Sequence, residues 1–301
     1  MYNSLVVLPC KVVTLLYNSS NPFFHITSLT FVINNADRTS NAICSENTKL
    51  VEFVKSFGKG FGIAVCGEYI QDDKFRIEYY YPYFIGSGVT TDEKVDVKKH
   101  SDKESYAGIC DDVKVGITII FYLQNITEYL NVKYIGHAFK GDMNVTLSAL
   151  SIDGKIILPV NKTPVQVNNH KEYTKQRSSL IAAAREGDED AIENLTLEDM
   201  DMYAMLSRRV VTEDVLSIVD TSFMPYGIES DQYAIIAQIL DFRLENNKVT
   251  QNEVYILTVD CNDLIFDVCI AKDNLLGEPA VGRRFKGSIW MQGRINYDYS
   301  I

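Results

Sequence analysis

The side chains able to do chemistry are few and scattered. The histidines are His25, His100, His137 and His170. No two of them stand at the i, i+4 or three-to-five-residue spacing of a helical zinc site. No Cys-x-x-Cys occurs among Cys10, Cys44, Cys66, Cys110, Cys261 and Cys269. No metal and no cofactor is expected; a metal held by distant residues would fall to His100, Cys110, Asp111 and Asp112. The same four are the candidate catalytic residues. A cysteine attacks as the thiolate, so Cys110 or Cys66 would need His100 or His137 within hydrogen-bond reach. Both cysteines lie beside apolar, strand-like residues, where a buried thiol is inert packing. No Gly-x-Ser-x-Gly elbow is present.

Two further groups stand out. By strand alternation Phe285, Ile289 and Met291 face inward, so Arg284, Lys286, Trp290, Gln292 and Arg294 share the other face. A basic stripe with an aromatic platform is how small barrels hold single-stranded nucleic acid. The competing reading packs Trp290 against the rest of the protein, among the stems of Arg and Lys. The second group is acidic: Glu186, Asp188, Glu189, Asp190, Glu193, Glu198, Asp199 and Asp201. At helix starts such acids complement the dipole, so a solvated, capped surface is expected. A divalent cation or a basic partner is the other reading.

The elements that must position these residues are mostly strands. The chain has 301 residues, 46% hydrophobic and 23% charged, which fits about two globular domains. A net charge of −11 disfavours a polyanionic partner for the chain as a whole. No apolar run is long enough for a membrane span. The nearest, Leu5 to Leu16, is broken by Pro9 and Lys11 and has no basic start. Cytoplasmic residence is expected, and thiols scattered through apolar runs fit it.

Residues 1–50 carry few charges and no clean period. Residues 47–57 read as a short helix, and Gly58 to Gly62 as a flexible turn into the next strand. A phosphate-binding loop would need the reverse order, strand then helix. Phe75 to Phe84 alternates, with Pro82 marking a strand end or a sheet edge. Ile117 to Leu123 is a strand. Val145 to Val160 reads as a hairpin turning at Asp153-Gly154. Tyr173 to Glu186 reads as a helix stopped by Gly187, followed by a short helix to Leu195 and a third capped by Thr196. From Ile218 to Tyr299 strands return, with a turn at Asn246-Asn247, another at Cys261 to Asp263, and a helical turn at Asp273 to Leu276.

The runs Lys103–Asp112, Ile181–Asp188, Asp220–Gly227, Gly277–Gly287 and Ile289–Gly293 together resemble a bacterial family of about this length, found mainly in anaerobic Firmicutes: domain-of-unknown-function family 3881. The resemblance covers roughly residues 58–297. It implies a bacterial cytoplasmic setting and carries no activity, cofactor or catalytic residue.

The expected fold is α+β: an uncertain segment 1–50, a β-rich domain 51–167, a helical acidic linker 168–216, and a small OB-like β-barrel 217–301. The leading functional reading is a non-enzymatic cytoplasmic binding or adaptor protein with a protein or ligand partner and no membrane contact. The alternatives are single-stranded nucleic-acid binding through the barrel, and an enzyme with a site between the two β domains using residues from Tyr106 to Asp112.

Overall fold

The computed structural model describes residues 23–45, 48–70, 74–100, 105–112, 117–134, 143–160, 173, 176–177, 179–227 and 230–297. Cys10, His137 and His170 lie outside them, as do the side chains of His25 and Cys44. The chain is α+β and strand-rich, with two sheets. No helix among the described residues is long and apolar enough to cross a membrane.

Helix α1 (Phe23–Asn34) leads into an antiparallel meander of β1 (Arg38–Ser45), β2 (Thr48–Ser56), β3 (Phe61–Ile70) and β4 (Lys74–Phe84). The helix expected over residues 47–57 is instead strand β2. Leu50, Val51, Phe53 and Val54 are all buried, on both faces of the strand. A strand covered on both faces has no period-two signal, and its apolar run cannot be told from a helix by spacing. Gly58 to Gly62 makes the β2–β3 connection, with Gly60 at φ 84°. Pro82 lies in β4, an edge strand, where its missing N–H leaves no ladder bond unmade.

The second sheet contains β5 (Val95–Lys99), β6 (Tyr106–Asp112), β7 (Ile117–Leu123), β8 (Met143–Ile157), β9 (Ser222–Pro225), β10 (Gln232–Asn246), β11 (Glu253–Cys261), β12 (Leu264–Ala271), β13 (Leu275–Leu276) and β14 (Arg284–Tyr297). Helix α2 (Ile126–Tyr134) follows β7 and packs on β1 and β2 of the first sheet. Within the second sheet β8, β12, β11, β10 and β14 each pair with two others of the five, and β14 pairs back to β8. One pairing of this cycle, β12 with β8, is parallel; the others are antiparallel. The turn at Asn262 and Asp263 has φ of 57° and 63°, the paired positive values of a tight I′ hairpin.

The hairpin expected at Val145 to Val160 is a correction. β8 runs unbroken through Asp153-Gly154, with a bulge opposite Ser288 and Ile289 of β14. Gly154 is there for space: a Cβ would stand 2.3 Å from Cε2 of the buried Phe285 ring. An Asp-Gly pair marks a turn only where no partner strand claims it.

The helical segment is a second correction. Gly187 does end a helix, at φ 92°, but the two helices expected after it are one, α3 (Glu189–Val210). Asp188 caps it, its Oδ1 accepting from the amides of Asp190 (3.0 Å) and Ala191 (3.1 Å). Thr196 caps nothing: its hydroxyl donates to the Ile192 carbonyl one turn back, at 2.8 Å. A four-residue helix, α4 (Val215–Ile218), precedes β9.

Buried residues of both sheets form one core, Val54, Phe61 and Phe84 joining Phe121, Leu147, Phe266 and Phe285. Replacing Gly154 with Ala forces the Phe285 ring to move in a packed interior, so it should destabilise the protein by about 1–3 kcal/mol in urea unfolding. At an open hairpin tip the same change would cost far less.

Candidate functional site

Strand β14 is where the sequence placed its binding stripe. It pairs with β10 and β8 and makes a short parallel contact with β7, Gln292 opposite Tyr122 and Gly293 opposite Leu123. Three of the five expected residues, Arg284, Trp290 and Gln292, are buried. Arg284 is 3% exposed. Its guanidinium donates to the Leu158 carbonyl from Nε (2.8 Å) and Nη2 (2.6 Å), to Leu216 O (2.7 Å) and to Val219 O (2.5 Å). Burial lowers its pKa, against the pull of Asp220. Arg284 therefore anchors α4 and the end of β8 and has no donor to spare for a phosphate.

Trp290 is 5% exposed. Its indole N–H donates to Asp231 Oδ2 at 2.7 Å, and its ring lies 5.3 Å from that of Tyr122. Gln292 is fully buried. Lys286 and Arg294 are half-buried, and Arg294 Nη2 lies 3.9 Å from Glu128 Oε2. Arg284, Trp290 and Gln292 thus form an internal seam, while Lys286 and Arg294 keep part of their surface exposed.

The seam closes the edge of the first sheet. Gln292 Nε2 donates to Pro82 O (2.8 Å), while its Oε1 accepts from the Phe84 amide (3.0 Å) and from Gln124 Nε2 (2.7 Å). Gln124 Nε2 also reaches Phe84 O at 2.8 Å, and the Ser148 hydroxyl donates to the same carbonyl. Tyr81 extends the network: its hydroxyl lies 3.1 Å from Gln124 O and 2.8 Å from Glu52 Oε1. Glu52 is a buried carboxylate that also accepts from Ser40 Oγ at 3.0 Å and stands 3.6 Å from Arg38 Nη2. The Cys66 thiol sits 3.9 Å from Glu52 Oε1.

A carboxylate, phenols and a thiol are the parts of an acid–base site, and the sequence reading missed this group. Its signal was a lone Glu inside Leu50-Val51-Glu52-Phe53-Val54, since a charge in a buried strand must find partners. Burial, reinforced by Glu52, holds Cys66 and Tyr81 well above their ordinary pKa values, and burial does the same to Tyr79 and Tyr122. They stay protonated, buried and hydrogen-bonded, which suits a structural network.

The four candidate catalytic residues do not converge. Cys110 of β6 is buried, and burial followed by the charge of Asp112 pushes its thiol up to about 12. Cys110 lies opposite Val95, whereas the His100 amide donates to Ser105 O at 2.9 Å. His100 is therefore five residues along the strand from Cys110, roughly 16 Å at about 3.3 Å per residue. Asp111 points to the opposite face, where Thr118 Oγ1 donates to it at 2.5 Å. Asp112 is buried beneath the strand. Among the described residues no group of three or more His, Cys, Asp or Glu is arranged to hold a metal ion.

Helix α3 is largely exposed. Of its 22 residues only Ala191 is buried. Leu195, Met202 and Leu206 are half-covered along the same side. On another side Ile192, Thr196, Tyr203 and Val210 recur at helical spacing with Met200 beside them, all exposed. Tyr203 is 75% exposed and Met200 64%. Glu189, Asp190, Glu193 and Asp201 lie along one flank of this stripe. Arg177 pairs with Glu198 (3.4 Å) and Asp199 (2.6 Å). The acidic segment is thus a solvated, capped helix surface, and its apolar stripe was not separated from the charge in the sequence reading.

A family model described as "Domain of unknown function, E. rectale Gene description" matches residues 25–293 of the chain. No curated protein and no solved structure matches it.

Two outcomes follow from the seam. Trp290→Ala should cost about 3–5 kcal/mol of stability, as large buried truncations do, and wild-type protein should show no salt-sensitive binding to fluorescent single-stranded DNA. Tyr79, Tyr81 and Tyr122 have folded pKa values raised above the ordinary 10.0. The unfolded chain loses these protons first, so stability is full below pH 10.0 and falls above it. Absorbance at the phenolate band should then show the late-ionising tyrosines titrating together with loss of circular dichroism.

Proposed function

We propose that this chain, which belongs to domain-of-unknown-function family 3881, is a non-enzymatic cytoplasmic binding protein whose partner-reading element is α3. The observation that carries this is the helix itself: 22 residues with one buried side chain and a stripe of exposed Ile192, Met200, Tyr203 and Val210. An isolated helix that buries so little gains little from packing. A large apolar stripe left in water is the usual mark of a binding surface. Amphipathic helices of this kind lay their apolar side into a groove on the partner. The acids along one flank of the stripe call for a groove with a basic rim. The unpaired, buried thiols of Cys66, Cys110, Cys261 and Cys269 support a reducing compartment.

The cyclic pairing of β8, β12, β11, β10 and β14 supports a small closed barrel of OB-like type. It draws one strand, β8, from ahead of the helical segment. The outer face of β11 and β12 matches the face such barrels offer to oligonucleotides. Here it carries Thr258 and Asp267, opposite each other, and the Asp267 carboxylate accepts from the amide (2.9 Å) and hydroxyl (2.7 Å) of Ser87. A buried acid beneath a covering segment is poor chemistry for phosphate. This argues for a barrel used as scaffold, with binding left to the helix.

The test uses a photo-crosslinking residue at position 200 in full-length protein added to host extract. A discrete adduct should form, competed by unlabelled wild type and not by a Met200→Lys, Tyr203→Lys variant. The variant's stability should stay within about 0.5 kcal/mol of wild type, as for surface changes. A large drop in its melting temperature would assign the stripe to internal packing. Turnover in a general hydrolase screen, abolished by Cys110→Ser, would sink the non-enzymatic reading.

A further inference from the structure

The polar cluster between the two sheets contains an ordered row of oxidisable rings. Trp290 of β14, Tyr122 of β7 and Tyr81 of β4 stand in sequence, with ring centroids 5.3 Å apart at the first step and 4.7 Å at the second. All three side chains are buried. Rings this close pass an electron without either having to move. Contact alone would be ordinary core packing, since aromatic side chains cluster in most interiors. The ends of this row carry something more.

At each end a carboxylate holds the ring's own proton. Trp290 Nε1 donates to Asp231 Oδ2 at 2.7 Å, and Asp231 is half-buried. The Tyr81 hydroxyl lies 2.8 Å from Oε1 of the buried Glu52. The other Glu52 oxygen, Oε2, is turned to Ser40 Oγ at 3.0 Å and to Arg38 Nη2 at 3.6 Å. An indole or phenol that loses an electron becomes a strong acid, so the electron leaves readily only where the proton has an acceptor in hydrogen-bond reach. Burial holds the Tyr81 phenol well above its ordinary pKa, so it keeps its proton until the electron goes. Either hydrogen bond alone serves packing, because a buried N–H or O–H needs an acceptor. Placed at opposite ends of one contiguous row, the two supply what oxidation of both rings requires.

We propose that Trp290, Tyr122 and Tyr81 form a hole-transfer row that carries one oxidising equivalent from the Trp290–Asp231 end to a buried tyrosyl radical at Tyr81, with Glu52 as the proton acceptor. An outer-sphere one-electron oxidant takes an electron from the Trp290 indole and is itself reduced by one, while the Nε1 proton moves to Asp231. An electron from the Tyr81 phenol then crosses the Tyr122 ring to the indolyl radical. Asp231 returns its proton to Nε1, and the Tyr81 hydroxyl proton passes to Glu52 Oε1. The balance is one electron gained by the oxidant, one neutral phenoxyl radical at Tyr81 and one carboxylic acid at Glu52. Trp290, Asp231 and Tyr122 end as they began. The buried phenoxyl cannot meet a second radical and couple with it, as an exposed one does. This activity lies beyond partner binding by α3 and uses none of its residues.

Flash photolysis of the full-length chain with tris(bipyridine)ruthenium(II) and a sacrificial cobalt(III) acceptor tests this, the ruthenium(III) so formed being the one-electron oxidant. Trp290 is the chain's single tryptophan, so a tryptophanyl signal is its own. In the wild type that signal should decay as a tyrosyl absorption grows, and the tyrosyl radical should persist in electron paramagnetic resonance of frozen samples. Tyr122→Phe keeps the ring and removes the oxidisable phenol, so it should abolish the conversion and leave a long-lived tryptophanyl radical. Glu52→Gln keeps the shape and removes the base, so it should slow the conversion about 100-fold, the scale of a positioned proton acceptor. Tyr134→Phe, at an exposed tyrosine, should change nothing. Circular dichroism and melting temperature check that each variant is folded. Should Glu52→Gln unfold, Tyr81→Phe tests the same end, and the persistent tyrosyl signal should be lost. A wild type whose tryptophanyl signal fades with no tyrosyl growth overturns the proposal. So does a conversion that Tyr122→Phe or Glu52→Gln leaves at the wild-type rate, or a persistent tyrosyl signal that survives Tyr81→Phe. None of these readouts involves α3, so failure here leaves the helix reading standing.

Discussion

The fold depends on satisfying the last backbone groups of β4. Pro82 O, Phe84 N and Phe84 O lie at the edge of the first sheet, buried against the second. An unpaired buried peptide group costs about 1–3 kcal/mol. Among the described residues no strand supplies the partners. Gln292 from β14, Gln124 from the β7–α2 junction and Ser148 from β8 do so with their side chains. A primary amide suits the task because it carries donors and an acceptor on one rigid plane. Through these three residues the edge of the first sheet is tied to the second, and the two share a core.

The same constraint accounts for most of the polar residues that invite a functional reading. Arg284 spends its donors on carbonyls at the ends of α4 and β8. Asp267 holds Ser87 and Thr258. Glu52 gathers Ser40, Tyr81 and Arg38. Each charge is buried, and each is surrounded by the hydrogen bonds that a buried charge requires to be tolerated at all. Removing one partner would leave the other uncompensated, so such networks hold one arrangement in place whether or not they add net stability.

Chemistry open to another molecule is therefore found where the fold leaves groups unclaimed. On α3 the unclaimed groups are apolar side chains in water. They lie away from the seam, on an element that the core positions and does not cover. A rigid scaffold carrying its contacts on peripheral elements is a common division of labour.

The sequence by itself determined local geometry wherever a residue's own chemistry dictates it. Alternation located β4, β7, β12 and β14. Gly187 ended a helix because only glycine tolerates that φ at no cost, and Asn262 with Asp263 made a turn for a related reason. The resemblance drawn from a handful of runs identified the family correctly. Where a segment is buried on both faces the signal vanished. β2 read as a helix, and β8 read as a hairpin because its Asp153-Gly154 pair answers to Phe285, distant in sequence. The same limit governed the site. Period two assigned Arg284, Trp290 and Gln292 to one face, and only the tertiary structure decided that β4, α4 and Asp231 cover it. Backbone conformation is set within a few residues, whereas exposure is set by whatever packs from elsewhere in the chain.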